Sequence, residues 1–468
     1  MKDRHGSEDS RSLAESAGGQ TNGGMSYVAD TSFGFPGDDD SNTRKPDDSI
    51  HHQDVAIQEQ KAVTRSKLLV ALFLFLAACA TAAVTYLYIE QQERDDFEDL
   101  FLSYSTEISV VTREKTDQLF NALNSFSISI SSEAKATNQS WPFVTISDWS
   151  TKARSFGELV GVPRAGMMFC PVVDEASIGK WAAHTMEDGP VIAQDAIDRE
   201  GFNMTVAQFM AKTMPMIYYY APESDYSIGF SQNAALPVWQ NYPFAIEPTS
   251  QRAYANLDLL SLKTFSELFY LTNATLKPTI GFSEVVTDSG ADQSRPVVSS
   301  QIMQPIFKTT DTKVKNKELA GVFWLTMEWT QYFENFFTDE TDAITLVLRS
   351  SCPRYNIYNE ESVTDEEEAV SYRIAGPKAI FLGEYDAHDP QYDSLEVASI
   401  LVDLKVDPST IPSGQCIPKL SLHIYPTKTF EDAFYTAKRF IYTGVVIGIF
   451  AFTSFVFLLY DFFVGRRQ

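Results

Sequence analysis

Basic residues, histidine and cysteine are all scarce in this chain of 468 residues. Its 37 Lys and Arg stand against 62 Asp and Glu, a formal net charge of −25. A surface so short of positive charge is a poor match for the phosphates of DNA or RNA, so no nucleic-acid partner is expected. Only six histidines are present. His5, His51 and His52 fall in a polar N-terminal stretch, while His184, His388 and His423 stand far apart, with no Cys or Glu companion at metal-ligand spacing. His184 and His388 read as surface or capping residues. No G-x-S-x-G elbow, P-loop or G-x-G-x-x-G motif occurs, so the residues assign no catalytic and no metal site.

Charge is missing altogether from two blocks. Leu68–Ile89 is 22 residues without a charge and Phe440–Tyr460 is 21 more. At 1.5 Å rise per residue each reaches across a hydrocarbon layer of about 30 Å. A soluble cytoplasmic enzyme is thereby excluded. The first block starts too late and runs too long for a cleaved signal peptide, so it reads as a signal anchor. Lys61, Arg65 and Lys67 precede it, and Glu90, Glu93, Asp95, Asp96, Glu98 and Asp99 follow with only Arg94 among them. The positive-inside rule then places the N-terminus in the cytoplasm, residues 90–439 outside and residues 461–468 back inside as a short stub. A plasma-membrane location follows. The sequons at Asn138, Asn203 and Asn273 all fall outside and are glycosylation candidates. So do three of the four cysteines, where disulfides persist.

Cys352 and Cys416 are expected to pair, closing a loop of about 65 residues worth about 4 kcal/mol in the chain-entropy description. Cys170 lies in an apolar run and reads as a buried inert thiol. Cys79 lies within the first span. The outer part carries about −22 of the charge, read as a soluble surface, and Asp365-Glu366-Glu367-Glu368 reads as a solvated turn rather than a calcium loop. Gly444 and Gly448 let two span helices approach closely, with Ala78 and Ala82 a comparable face on the first span.

Residues 1–66 are rich in Ser, Gly, Asp, Asn and Gln and are expected to be disordered. Past the first span (68–89), Phe97, Phe101, Tyr104, Ile108, Val111, Leu119, Leu123, Phe126 and Ile130 recur mostly at spacings of three and four, with no proline from Glu90 to Ser140. That pattern predicts a long amphipathic stalk helix over 90–136. Lys115 sits in its apolar stripe, which leaves an uninterrupted dimeric coiled coil open. Helices are predicted over Asp148–Leu159, Glu175–Met186 and Trp329–Phe337. Strands are predicted over Met167–Val173, Leu319–Glu328, Ala343–Arg349, Tyr372–Ala375, Ala379–Leu382, Ala398–Leu404 and Leu420–Tyr425. A short helix over 429–439 is expected to run straight into the second span (440–460).

The outer region is therefore expected to be α+β. A membrane-distal lobe is placed at 137–300 and a membrane-proximal, disulfide-bearing lobe at 301–428. Helix, then sheet, then return to the membrane is the layout of extracellular PAS-like sensors of the CHASE and Cache kind. A small-molecule pocket is placed among the aromatics of the distal lobe. Tyr219, Trp239 and Tyr254 would supply apolar walls, and Gln240, Arg252 and Asp258 the fixed polar groups. The competing reading is that these aromatics simply pack the core.

Particular strings carry a family likeness. They are GPKAIFLGEYDAHDPQYD (Gly376–Asp393), LPVWQNYP (Leu236–Pro243), AGVFWLTMEW (Ala320–Trp329) and the closing YDFFVGRRQ. Together these resemble the sensor half of the diatom receptor-type nucleotide cyclases, the receptor-type guanylate cyclases, over about residues 68–468. The resemblance implies a two-span receptor whose cyclase domain follows the second span and uses two aspartates to bind Mg or Mn. The sequence ends at Gln468, so no catalytic residue is carried over and no cofactor is expected in this chain. A truncated or split gene and a sensor without its own output are both open. The alternatives are a non-enzymatic decoy that dimerises with intact receptors, and a sensor for another effector such as a histidine kinase. Expected partners are a small extracellular ligand, membrane lipid, and a second copy or a related receptor.

Overall fold

A computed structural model describes residues 48–221, 224–229, 233–244, 254–287, 296–309, 317–336, 343–352, 368–404, 406 and 416–465. The chain divides into two units, Met1–Phe73 and Leu74–Gln468. In the first, the described residues are helical throughout. The disorder expected through residue 66 is therefore corrected from Asp48 onward, where helix α1 (Asp48–Ala136) begins. Residues 1–47 lie outside the described ones. Helix α1 contains neither glycine nor proline, so no residue in it disfavours the helix strongly. It stops at Asn138, which turns left-handed at φ 55°. Gln139 N–H then bonds Ala134 O and Asn138 N–H bonds Lys135 O, which satisfies two of the last carbonyls.

The second unit continues through α2 (Trp149–Leu159), β1 (Gly166–Pro171), β2 (Val173–Asp174), α3 (Glu175–Glu200), α4 (Val206–Met210), β3 (Tyr218–Ala221), β4 (Ser224–Ile228), β5 (Ala234–Ala235) and β6 (Gln240–Tyr242). Next come α5 (Lys263–Thr275), β7 (Thr279–Thr287), β8 (Pro296–Phe307), β9 (Leu319–Glu328) and α6 (Trp329–Phe333). The proximal part holds β10 (Ile344–Ser350), β11 (Glu368–Ala375), β12 (Lys378–Gly383), β13 (Val397–Asp403) and β14 (Lys419–Pro426). The chain ends in α7 (Lys428–Phe434) and α8 (Lys438–Gly465). The fold is α+β. The apolar stretches of α1 and α8 are long and apolar enough to cross a membrane.

Two five-stranded antiparallel sheets dominate, in the orders β6-β1-β9-β8-β7 and β12-β11-β10-β14-β13. Counted by each sheet's own strands, these are 2-1-5-4-3 and 3-2-1-5-4, so both contain the path 2-1-5-4. The lobe boundary expected at residue 300 falls inside β8, whose pairing with β9 keeps residues up to Glu328 in the distal sheet. The division between sheets therefore lies between β9 and β10. Residue 368 also needs correcting. Glu368 opens β11 and is buried rather than solvated, and residues 365–367 lie outside the described ones.

The C-terminal half of α1 is a spine rather than a free stalk. Its buried stripe runs through Phe97, Phe101, Ser105, Ile108, Thr112, Thr116, Leu119, Leu123, Ser127, Ile130 and Ala134, with Glu93 and Ser131 buried beside it. The steps of four, four and three make an 11-residue repeat: Phe97, Ile108, Leu119 and Ile130 form one row, and Ser105, Thr116 and Ser127 another. At 3.67 residues per turn such a stripe stays nearly parallel to the helix axis. One contiguous apolar cluster joins this stripe to both sheets, taking in Phe323 and Ile302 of the distal sheet and Leu346, Leu422 and Tyr372 of the proximal one. The polar row is satisfied by β8, by α6 and by the helix itself. Ser127 Oγ donates to Pro305 O at 3.0 Å, and Tyr332 OH meets Thr116 Oγ1 at 2.8 Å. Lys115 Nζ lies 4.5 Å from the centre of the Phe336 ring, and burial pulls its pKa down. The stripe is thus used within the chain and is not free to build a coiled-coil dimer.

Strand β9 shows why the distal sheet is solid on both faces. Phe323, Leu325 and Met327 join the cluster of the spine, while Val322 and Trp324 join Cys170, Met303, Phe265 and Leu268 under α5. Trp324 stacks on Phe265 at 4.0 Å. At Gly321 a Cβ would lie 2.8 Å from Cys170 O, so only glycine lets β1 approach.

Candidate functional site

The aromatic segments singled out in the distal lobe do come together. Residues 256–258 run between 236–238 and β3. Val238 N–H bonds Leu257 O, Asn256 N–H bonds Val238 O, and Asp258 N–H bonds Tyr218 O at 2.8 Å. Within this layer, however, the expected polar groups are spent on the protein itself. Asp258 is fully buried, and its Oδ1 accepts from Leu236 N at 2.8 Å and Leu260 N at 3.1 Å. Gln240 brackets Ile146, accepting its N–H and donating to its carbonyl. Trp239 is buried and donates from Nε1 to Thr145 Oγ1 at 3.1 Å. Tyr254 packs against the cluster under α5. Tyr219 is half-buried on β3, and Arg252 lies outside the described residues.

Two buried side chains beside this framework keep unspent polar atoms, and the sequence reading had assigned neither to a site. His184 projects from α3 into an aromatic box, with its ring centre 4.7 Å from Trp239, 5.2 Å from Trp181 and 5.5 Å from Phe143. It is 9% exposed, not the surface residue expected. Its Nδ1 lies 3.5 Å from Asp188, which also accepts from Thr145 Oγ1 at 2.6 Å. Burial pushes the ring's pKa down, only partly opposed by Asp188, so the imidazole is neutral at neutral pH. Its Nε2 has no hydrogen-bond partner. Asn241, on β6, is 4% exposed, and neither its Oδ1 nor its Nδ2 is paired. An orphaned buried polar group costs about 1–3 kcal/mol, so these atoms are candidate contacts for a bound water or ligand. A signal was present in α3, where Trp181, His184, Thr185 and Asp188 fall on one helical face.

The proximal lobe holds a second polar assembly and the joint between α1 and the start of α8. Cys352 and Cys416 are bonded, as expected, with Cα atoms 5.6 Å apart, tying the end of β10 to the entry of β14. Cys170 is buried and free, and burial raises its thiol pKa strongly. The expected straight helix over 429–439 is broken instead. Helix α7 ends at Phe434 and α8 starts at Lys438. The break is held from the spine, because Thr436 Oγ1 donates to Glu93 Oε1 at 2.7 Å and Arg439 lies 3.6 Å from Glu90. Phe97 packs at 5.8 Å against both Phe430 and Phe434, and Tyr86 at 5.9 Å against Phe440.

The three sequon asparagines, Asn138, Asn203 and Asn273, are exposed. A Cβ at Gly444 or Gly448 would meet no atom of the chain. Among the described residues no group of three or more His, Cys, Asp or Glu is arranged to hold a metal ion. No protein-family model and no curated protein matches this chain.

Proposed function

We propose that this chain is a two-pass membrane sensor whose outer lobes take up a small polar ligand and whose spine carries the result across the bilayer. The observation that carries this reading is the double use of α1. The same unbroken helix supplies the first span and backs both sheets, and its base is tied to the start of the second span through Glu93–Thr436 and Glu90–Arg439. A change in the distal sheet then reaches the spans without a flexible link. Transmission requires only that ligand bind two arrangements of this joint with different affinity.

The candidate ligand contacts are His184, in the box of Trp181, Trp239 and Phe143, and Asn241 on β6. A neutral imidazole and a carboxamide offer donors and acceptors without net charge, and the rings of Trp181, Trp239 and Phe143 offer flat apolar walls. That combination suits a small polar molecule with an apolar face. A spine flanked by two sheets agrees with the PAS-like layout of CHASE and Cache sensors. In the receptor-type guanylate cyclases that the sequence resembles, the corresponding output is cyclic-nucleotide synthesis by a separate domain. With the spine's stripe occupied by the lobes, pairing with a second receptor falls to the spans, where Gly444 and Gly448 are open.

The test is a thermal-shift screen of the full chain in detergent with amino acids, amines, organic acids and nucleosides. A compound that stabilises the wild type and not Asn241→Ala supports the site. If every stabilising compound acts equally on both, the site assignment is wrong.

A further inference from the structure

The segment between β12 and β13 crosses the outer face of the proximal sheet, opposite the spine. It is pinned there by Ser371, whose Oγ donates to Tyr385 O at 2.7 Å and accepts from Ala387 N at 2.9 Å. His388 lies flat on Tyr425, with ring centres 4.1 Å apart and planes 13° off parallel. Its Nδ1 faces Asp386 Oδ1, and its Nε2 faces Asp393 Oδ1 at 2.8 Å. A neutral imidazole has one N–H, whereas both of these partners are acceptors. Only the protonated ring can donate to the two carboxylates at once.

We propose that the proximal lobe binds a regulatory proton at His388, and that its occupancy sets how firmly the Pro390–Leu395 turn and α7 are held to the sheet.

The surrounding charges favour such a site. From β10, Arg349 reaches Asp386 Oδ2 at 2.5 Å and Tyr425 OH at 3.2 Å. Tyr425 on β14 donates to Glu396 Oε1 at 2.9 Å, and Glu396 also pairs with His423, whose Nε2 meets Ser421 Oγ at 2.9 Å. Asp386 and Glu396 therefore act on one permanent cation, Arg349, while Asp386 and Asp393 flank His388. Burial by itself lowers the His388 pKa, but hydrogen bonds and charge from Asp386 and Asp393 outweigh it and leave it above the ordinary 6.5. A raised histidine contributes stability that is complete below pH 6.5 and is lost as pH rises through the raised value. On proton loss one carboxylate faces a ring lone pair. Asp386 stays held by Arg349, so the exposed Asp393 is the one released.

Release has a path to the membrane joint. Tyr392, next to Asp393 in the same turn, donates to Glu431 Oε2 on α7 at 2.8 Å. On the neighbouring position of α7, Phe430 packs against Phe97 and Phe101 of the spine.

The experiment uses the full chain in lipid nanodiscs with no added ligand, so its outcome is independent of the small-molecule reading. Carbethoxylation of His388, followed by mass spectrometry across pH, reads its titration. Hydrogen exchange at 390–395 and 428–434, corrected for the intrinsic pH dependence, reads the coupling. The expected result is half-reactivity above pH 6.5, shifted to lower pH in Asp393→Asn, with protection of both segments falling through the same range. Tyr392→Phe should leave the His388 titration in place and remove the pH dependence at α7. The proposal is overturned if His388 titrates at or below 6.5, if Asp393→Asn leaves the titration unmoved, or if His388→Gln keeps the wild-type pH dependence at α7.

Discussion

Leu123 sits at the middle of the spine's stripe with no exposed surface, between Leu119 and Ser127 on the face that the distal sheet covers. Replacing it with alanine removes three buried carbons. The lost transfer energy and the cavity left under a rigid sheet together cost about 2–5 kcal/mol. Leu102 supplies the control, being the same residue type on the same helix but 55% exposed. Leu102→Ala should change stability by less than about 0.5 kcal/mol. For a unit this large, about 2 °C per kcal/mol translates the first loss into a melting temperature lower by roughly 4–10 °C. Differential scanning fluorimetry of both variants in detergent reads the contrast. If α1 were instead a stalk whose stripe paired with a second copy, the Leu123→Ala loss would depend on protein concentration. Equal melting temperatures for the two variants, or a concentration-dependent loss, would refute the spine.

Three further outcomes are expected. Replacing Cys352 and Cys416 together by serine should cost about 2–4 kcal/mol, and hydrogen exchange should rise in β10 and β14 while the distal sheet stays protected. Thr436→Val removes the bond to Glu93, so exchange at the break between α7 and α8 should increase with both sheets unchanged; unchanged exchange there would mean that the joint is closed by other contacts. Each of Asn138→Gln, Asn203→Gln and Asn273→Gln should raise the electrophoretic mobility of protein made in a glycosylating host by one step. A sequon whose loss leaves the mobility unchanged carries no glycan.

Much of this architecture was legible because its signals are local. The Val, Phe and Trp of Leu319–Glu328 mark β9 to the residue, and the uncharged blocks mark the two helices that are long and apolar enough to cross a membrane. The helix expected over Glu175–Met186 runs on through Gly189 and Pro190 to Glu200, with Ala193 and Ala196 buried in its added turns. The 11-residue repeat was hidden because Ser105, Thr116 and Ser127 look like surface residues, whereas they are buried and bond Phe101 O, Tyr332 OH and Pro305 O respectively. Strand β8 passed unread because Ser299, Ser300, Gln301 and Gln304 break the apolar pattern although all four are buried. In the distal lobe the aromatic segments were found from composition. That Asp258 and Gln240 would be spent on backbone groups, and His184 and Asn241 left open, depends on contacts between residues far apart in sequence.

The sidedness of the membrane tests the account most directly. Epitopes placed at the N-terminus and after Gln468, and a third inserted at the exposed Asn203, should be probed by antibody on intact and then permeabilised cells. The account predicts that the Asn203 epitope is reached on intact cells, while both terminal epitopes are reached only after permeabilisation. Terminal epitopes exposed on intact cells, or one terminus on each side, would contradict a two-pass sensor with its lobes outside.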